Sequence, residues 1–182
     1  LLEAGVGLVA GYPGTPSSEI IETLVDLKCE MPPHVEWSVN EKVALEVAAG
    51  ASWTGQRAAA TMKHVGLNVA ADPFMTLAYL GVGAGLLLIC ADDPHCHSSQ
   101  NEQDSRRYAQ FAGIPCLDPA NPGEAKEMAA FAFELSEKFN IPVMLRPTTR
   151  VSHARADVEI GPTHSARGQS QFIKNPARRV AL

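Results

Sequence analysis

The sequence predicts an α/β fold: a doubly wound, mainly parallel sheet with helices on both faces. Apolar runs of strand length recur at residues 7–10, 35–39, 58–62, 86–91 and 143–145, each separated from the next by a segment of helical character. That alternation is the mark of a parallel sheet built from βα units. The run Leu86-Leu87-Leu88-Ile89-Cys90-Ala91 has no polar alternation, as expected of a central strand covered on both faces. A chain of 182 residues holds one domain with a sizeable core. That domain is expected over residues 1–150, followed by a connector over 151–182.

Leu1-Leu2-Glu3-Ala4-Gly5 reads as the last turn of a helix stopped by Gly5, and with no initiating Met the chain is expected to start inside a longer protein. After the first strand, Pro16 and Ser17 begin a helix that runs to about Lys28, with Ile20, Leu24 and Leu27 on its inner face. Asn40 follows the second strand as a natural N-cap for a helix from Glu41 to about Thr54, on which Lys42 and Glu46 can pair at i, i+4. The third strand breaks into Lys63, His64 and Gly66, and the central strand runs into a long polar loop from Asp92. Pro122 opens the longest helix, where Met128, Phe131, Ala132, Leu135 and Phe139 recur at core spacing. Beyond Pro147 the periodicity fades, and the segment ending in Asn175-Pro176-Ala177-Arg178-Arg179 reads as a connector to a further domain.

Charged residues make up 19 % and hydrophobic ones 46 %, which describes a globular protein rather than a disordered one. A formal net charge of -5 gives no reason to expect a nucleic-acid partner. From Thr148 onward six Arg or Lys stand against Asp157 and Glu159, which reads as a solvated basic segment. Cys29, Cys90, Cys96 and Cys116 have no C-x-x-C spacing, which argues against a zinc or iron–sulfur site within this segment. No apolar run approaches the roughly 20 residues that span a bilayer. Reduced thiols and a cytoplasmic location are expected.

In such sheets ligands gather at the carboxyl ends of the strands. The first such end, Gly11-Tyr12-Pro13-Gly14-Thr15-Pro16-Ser17-Ser18, offers hydroxyls and backbone amides to an anion, with two prolines stiffening the loop around Thr15. The second places Glu41 in a first helical turn, where a carboxylate also simply complements the helix dipole. The third carries Lys63 and His64, and the fourth His95, Cys96 and His97 followed by Arg106 and Arg107. Adjacent positions point apart, so that His-Cys-His run makes a poor metal site, whereas an arginine after the loop is suited to clamp a carboxylate. Taken singly, each of these corners has an ordinary structural reading too.

Their order and wording together are specific. Gly11-Tyr12-Pro13-Gly14-Thr15-Pro16-Ser17-Ser18-Glu19-Ile20, Trp37-Ser38-Val39-Asn40-Glu41-Lys42-Val43-Ala44, Met62-Lys63-His64-Val65-Gly66-Leu67-Asn68-Val69-Ala70-Ala71-Asp72-Pro73 and His97-Ser98-Ser99-Gln100-Asn101-Glu102-Gln103-Asp104 closely resemble the alpha subunits of indolepyruvate ferredoxin oxidoreductases, within the 2-oxoacid:ferredoxin oxidoreductase family. The resemblance spans nearly the whole chain. It implies the pyrimidine-binding domain of a thiamine-diphosphate enzyme that oxidatively decarboxylates indolepyruvate and related arylpyruvates to aryl-acetyl-CoA, with ferredoxin as acceptor. Glu41 would hold a proton against a nitrogen of the pyrimidine ring, a role requiring burial strong enough to oppose the helix N-terminus. Tyr12, Pro13, Lys63, His64 and Asn68 are the implied neighbours of that pyrimidine, and His64 would shape the pocket for an aryl side chain or assist proton transfer. Thr15 is the implied substrate contact, with Arg106, or failing it Arg107, as counter-charge.

Only the pyrimidine half of the cofactor site is implied here. Mg2+ and [4Fe-4S] clusters would belong to the full-length protein, because this segment lacks both the Gly-Asp-Gly signature and the clustered cysteines that hold them in the family. The implied partners are the rest of the alpha subunit with its diphosphate-binding domain, a second subunit, ferredoxin, CoA and the arylpyruvate, and a second copy of the domain across the cofactor face. Two other readings compete: the pyrimidine-domain subunit of a non-oxidative decarboxylase of the sulfopyruvate type, and a non-catalytic flavodoxin-like binding module, which would leave Glu41 exposed.

Overall fold

The structure, a computed structural model, describes residues 1–27, 32–166, 170–174 and 176. Six strands form one parallel sheet in the order β2-β1-β3-β4-β6-β5: β1 (Leu8–Gly11), β2 (His34–Trp37), β3 (Ala58–Lys63), β4 (Leu86–Ala91), β5 (Cys116–Leu117) and β6 (Val143–Leu145). The five anticipated strands are all present, with small shifts in their ends. The two-residue edge strand β5 was not anticipated, being too short to show a period.

Seven helices accompany the sheet among the described residues: α1 (Ser18–Asp26), α2 (Glu41–Trp53), α3 (His64–Val69), α4 (Ala71–Leu80), α5 (Arg106–Ala112), α6 (Pro122–Phe139) and α7 (Thr149–Ser152). The alternation of strand side chains sorts them onto two faces. Ala58, Ala60, Met62, Leu86, Leu88 and Cys90 pack with Leu45, Leu67, Phe74, Leu77 and Ala109 of α2 to α5. Ala59, Leu87, Ile89, Val143 and Leu145 pack on the other face with Ile21 and Leu24 of α1 and with Ala129, Ala132 and Phe133 of α6. The sheet is doubly wound, as the unbroken apolar run of β4 requires.

Asn40 caps α2 by accepting from the Val43 N–H at 2.9 Å, and Asn121 caps α6 by accepting from the Glu124 N–H at 2.9 Å. Lys42 and Glu46 stand 3.9 Å apart. Two helical details differ from the sequence expectation. On α1 the inward residues are Ile21 and Leu24, while Leu27 is exposed; the anticipated end at Lys28, like Cys29, lies outside the described residues. On α6, Phe131 and Phe139 are exposed and the buried stripe is Ala129, Ala132, Phe133 and Ser136. The stripe is displaced because Ser136 faces the sheet to accept the Leu86 N–H at 3.0 Å and donate to the Ile141 carbonyl at 2.7 Å. Residues 1–5 do close as a helix end: the Gly5 N–H donates to the Leu2 carbonyl at 3.0 Å and the Val6 N–H to the Leu1 carbonyl at 3.4 Å, with Gly5 at φ +66°.

Beyond α7 the chain returns past its own start: the Gly161 N–H donates to Glu3 Oε1 at 3.0 Å and the His164 N–H to the Leu2 carbonyl at 3.1 Å. Of the segment anticipated as a connector, 167–169, 175 and 177–182 lie outside the described residues. Among the described residues no helix is long and apolar enough to cross a membrane.

Candidate functional site

The chain places β2 on one side of β1 and then β3 on the other, so the crevice of the fold opens between the carboxyl ends of β1 and β3. Gly11 is level with Trp37 on β2 and Thr61 on β3, and Lys63 is level with Ala91 on β4. Tyr12 to Thr15, Glu41, Lys63 and His64 therefore share one edge of the sheet.

Glu41, first residue of α2, is buried at 9 % exposure. Among the described residues its carboxylate has no hydrogen-bond or ion-pair partner. A buried carboxyl group without a partner is costly, and such a group at a strand-end crevice is suited to a ligand. Gly66 of α3 supplies the floor beneath it: a β-carbon there would lie 2.5 Å from Glu41 Oε1 and 2.6 Å from Glu41 Cγ. The arrangement fits the pyrimidine half of thiamine diphosphate, which offers ring nitrogens to an acid held at a fixed point.

Lys63 and His64 are both buried and both spent on one loop. Lys63 runs beneath Gly14, where a β-carbon would lie 2.9 Å from Lys63 Cδ, and Lys63 Nζ donates to the Ser98 carbonyl at 2.9 Å. The Val65 N–H donates to His64 Nδ1 at 2.9 Å, which requires Nδ1 to be unprotonated and places the ring hydrogen on Nε2. Nε2 then donates to the Asn101 carbonyl at 3.0 Å. Lys63 Nζ and His64 Nε2 thus pin residues 98–101 over the end of β3.

The same loop is anchored by Asp93, whose carboxylate is fully buried. It accepts from the His97 N–H at 3.2 Å, the Ser98 N–H at 2.8 Å, the Ser99 hydroxyl at 2.7 Å and the Thr149 hydroxyl at 2.9 Å. Burial opposes its charge, yet the donors from Ser98, Ser99, Thr149 and His97 outweigh burial and hold the carboxyl well below the usual carboxylate range. His95 and Cys96 adopt left-handed backbone, at φ 66° and 53°. Among the described residues no group of three His, Cys, Asp or Glu stands close enough to hold a metal ion.

The remaining sequence candidates separate. Tyr12 and Pro13 are exposed at the end of β1, and Asn68 is exposed on α3, where it accepts from the Tyr108 hydroxyl at 2.6 Å. Thr15 opens onto a cleft of about 770 Å³ whose other walls are Pro94, His95, His97, Ser98, Thr148, Thr149, Arg150 and His153. Arg106, expected as counter-charge for Thr15, is not among the residues that line that cleft. Its guanidinium is held by Asp104 at 2.8 Å and Asp118 at 3.2 Å. Asp118 also meets Arg146 at 3.3 Å, and Arg146 pairs with the buried Asp92 at 2.7 Å. Arg106 thus belongs to a structural charge chain running beneath α5. A second hollow of about 700 Å³, lined by Leu2, Ile20, Leu24, Ala129 and Val151 among others, lies between α1 and α6, away from Glu41.

Sequence reasoning missed three residues. Asp93 carries a readable signal, an Asp-Pro at a strand end followed by serines, which is the pattern of a side chain that gathers loop amides. Gly66 stood inside a quoted motif, but its closeness to Glu41 is a tertiary fact without a local signal. Arg150, which lines the same cleft as Thr15, was counted only as one charge of the basic segment.

Residues 1–180 match the family described as pyruvate flavodoxin/ferredoxin oxidoreductase, thiamine diP-bdg. The whole chain is 52 % identical over 186 residues to the indolepyruvate oxidoreductase subunit IorA of Pyrococcus abyssi, and 53 % identical over 181 residues to that of Methanothermobacter marburgensis, covering 29 % of each relative. It therefore spans less than a third of the length of the curated relatives it matches. Among solved structures, a 2-oxoglutarate:ferredoxin oxidoreductase from Magnetococcus marinus superposes with a TM-score of 0.68 at 17 % identity, over 82 % of this chain and 27 % of that one, a likeness of fold. The chain belongs to the pyruvate flavodoxin/ferredoxin oxidoreductase family, in its thiamine-diphosphate-binding domain.

Proposed function

We propose that this chain is the pyrimidine-binding part of an indolepyruvate ferredoxin oxidoreductase, which converts indolepyruvate and related arylpyruvates, with CoA, to the aryl-acetyl-CoA and CO2 while ferredoxin takes two electrons. The observation that carries this reading is the Glu41 carboxyl, buried, unpartnered among the described residues and seated on Gly66 at the switch point of the sheet. The names of the relatives at 52 and 53 % identity support the substrate class. Burial of Glu41 counts against a flavodoxin-like module, which has no use for such a group.

Thiamine diphosphate, when bound, supplies the carbon nucleophile that adds to the 2-oxo group and accepts the electrons left by departing CO2. Glu41 holds a proton on its carboxyl oxygen toward a pyrimidine ring nitrogen and so sets the protonation of that ring. Tyr12 and Pro13 line the ring's approach from β1, and Asn68 from α3. Lys63 and His64 act one step back, by holding residues 98–101 closed so that water is excluded. Thr15 contacts the substrate.

The diphosphate, Mg2+ and the [4Fe-4S] clusters fall to the rest of the longer protein and to a second subunit, with CoA and ferredoxin as further partners, in the cytoplasm. Exposed Tyr12, Trp37 and Val39 at the ends of β1 and β2 suit a face covered by another domain or by a second copy of this one. The test is the full-length protein assembled with its second subunit, supplied with indolepyruvate, CoA and a one-electron acceptor. Acceptor reduction that requires both CoA and thiamine diphosphate and yields the acyl-CoA is expected. Release of the aldehyde without CoA or acceptor would support the non-oxidative decarboxylase instead.

A further inference from the structure

We propose that Arg150, acting with the Thr15 hydroxyl, holds the carboxylate of the aryl 2-oxo acid in the cleft beside the sheet edge. The inference rests on the functional reading above and assigns the counter-charge to Arg150 in place of Arg106, whose guanidinium is held by Asp104 and Asp118.

Thr15 and Arg150 line the same cleft. Arg57, Arg106 and Arg146 are each tied to carboxylates at 2.7 to 3.3 Å, whereas Arg150 is exposed and has no ion pair or hydrogen bond among the described residues. A free guanidinium and a hydroxyl lining one cleft offer a carboxylate two parallel N–H donors and a third O–H donor.

The cleft is held open by its own buried anchor. Asp93 ties one wall through the His97 and Ser98 amides and the other through the Thr149 hydroxyl, next to Arg150. Its carboxylate is fully buried and taken up by these donors. The left-handed backbone at His95 and Cys96 is unfavourable for residues with a side chain. It is retained where Asp93 and the Glu102 carboxylate, accepting from the His95 N–H at 3.0 Å, hold it. His95 and His97 stand edge to face, centroids 6.2 Å apart, and present ring surface suited to an aryl group. Glu19 stands 3.8 Å from His153, and Glu102 meets the His95 N–H. About 770 Å³ is ample for an aryl acid.

The test compares wild type, Arg150→Met, Arg150→Lys and the surface control Arg155→Met in the full-length holoenzyme. Two readouts are taken: KM and kcat for indolepyruvate, and equilibrium binding of unreactive indole-3-propionate against its uncharged methyl ester. Arg150→Met should raise KM and the propionate Kd at least tenfold, with kcat less affected. Arg150→Lys should recover part of the loss, Arg155→Met should change neither constant, and the ester should bind weakly to every form. Turnover with KM and propionate binding unaltered in Arg150→Met would overturn the inference and leave the proposed function standing. Absence of turnover together with Arg150-dependent propionate binding would reject the proposed function and leave a carboxylate site, and equal binding of acid and ester would reject that site.

Discussion

A methyl group has no room at Gly66, because it would fall 2.5 Å from an oxygen of Glu41. Gly66→Ala must push the carboxyl aside or shift α3, at a cost of roughly 1–3 kcal/mol for an overpacked site. Under the role proposed for Glu41, where displacement by about 1 Å can cost on the order of 100-fold, the variant is expected to lose turnover by tenfold or more. Thermal unfolding and turnover measured together check this, and a variant as active as wild type would mean that the Glu41 position tolerates movement. Glu41 was legible from its place after Asn40 and from the family resemblance. Its contact with Gly66 was not, because that contact joins helices whose relation only the fold establishes.

At the scale of elements, the loop from 94 to 101 is the part whose order depends on one ionised group. The carboxyl of Asp93 titrates below its unfolded value of about 3.9, so its stabilisation is complete above that value and shrinks as pH falls from there toward the folded value. Asp93→Asn should therefore lower amide-exchange protection at His97 and Ser98 at pH 7, by roughly 2–4 kcal/mol for a hub of charge-assisted bonds. The difference from wild type should narrow below about pH 4, and one that is unchanged with pH would show that the charge of Asp93 is not what orders the loop. Elements were legible where local chemistry decides them: β4 from its unbroken apolar run, α2 and α6 from their asparagine caps. The inward face of α6 was misjudged because the sheet selects the small residues Ala129, Ala132 and Ser136 beside Phe133, whereas periodicity counts the bulky ones and favours Phe131 and Phe139. Strand β5, of two residues, carries no period at all.

For the whole molecule, the charge chain Asp92–Arg146–Asp118–Arg106–Asp104 ties the carboxyl ends of β4 and β6 to the start of α5. Arg146→Met leaves the buried Asp92 with the Ser105 N–H at 3.0 Å as its remaining strong donor, which should cost about 3–5 kcal/mol as a broken buried pair. Adding Asp92→Asn should recover part of the loss in melting temperature, and additive losses would contradict a paired role. The place of Arg106 in that chain was not legible in the sequence, because Asp118 is brought close to it by β5. The central claim, that this domain activates a thiamine cofactor through Glu41, is tested most directly by one comparison. CoA-dependent reduction of an artificial acceptor by indolepyruvate would be measured in the assembled full-length protein, wild type against Glu41→Gln, with cofactor binding followed separately. A fall of about 100-fold or more with folding and thiamine diphosphate binding retained is the predicted result, and full activity in Glu41→Gln would contradict it.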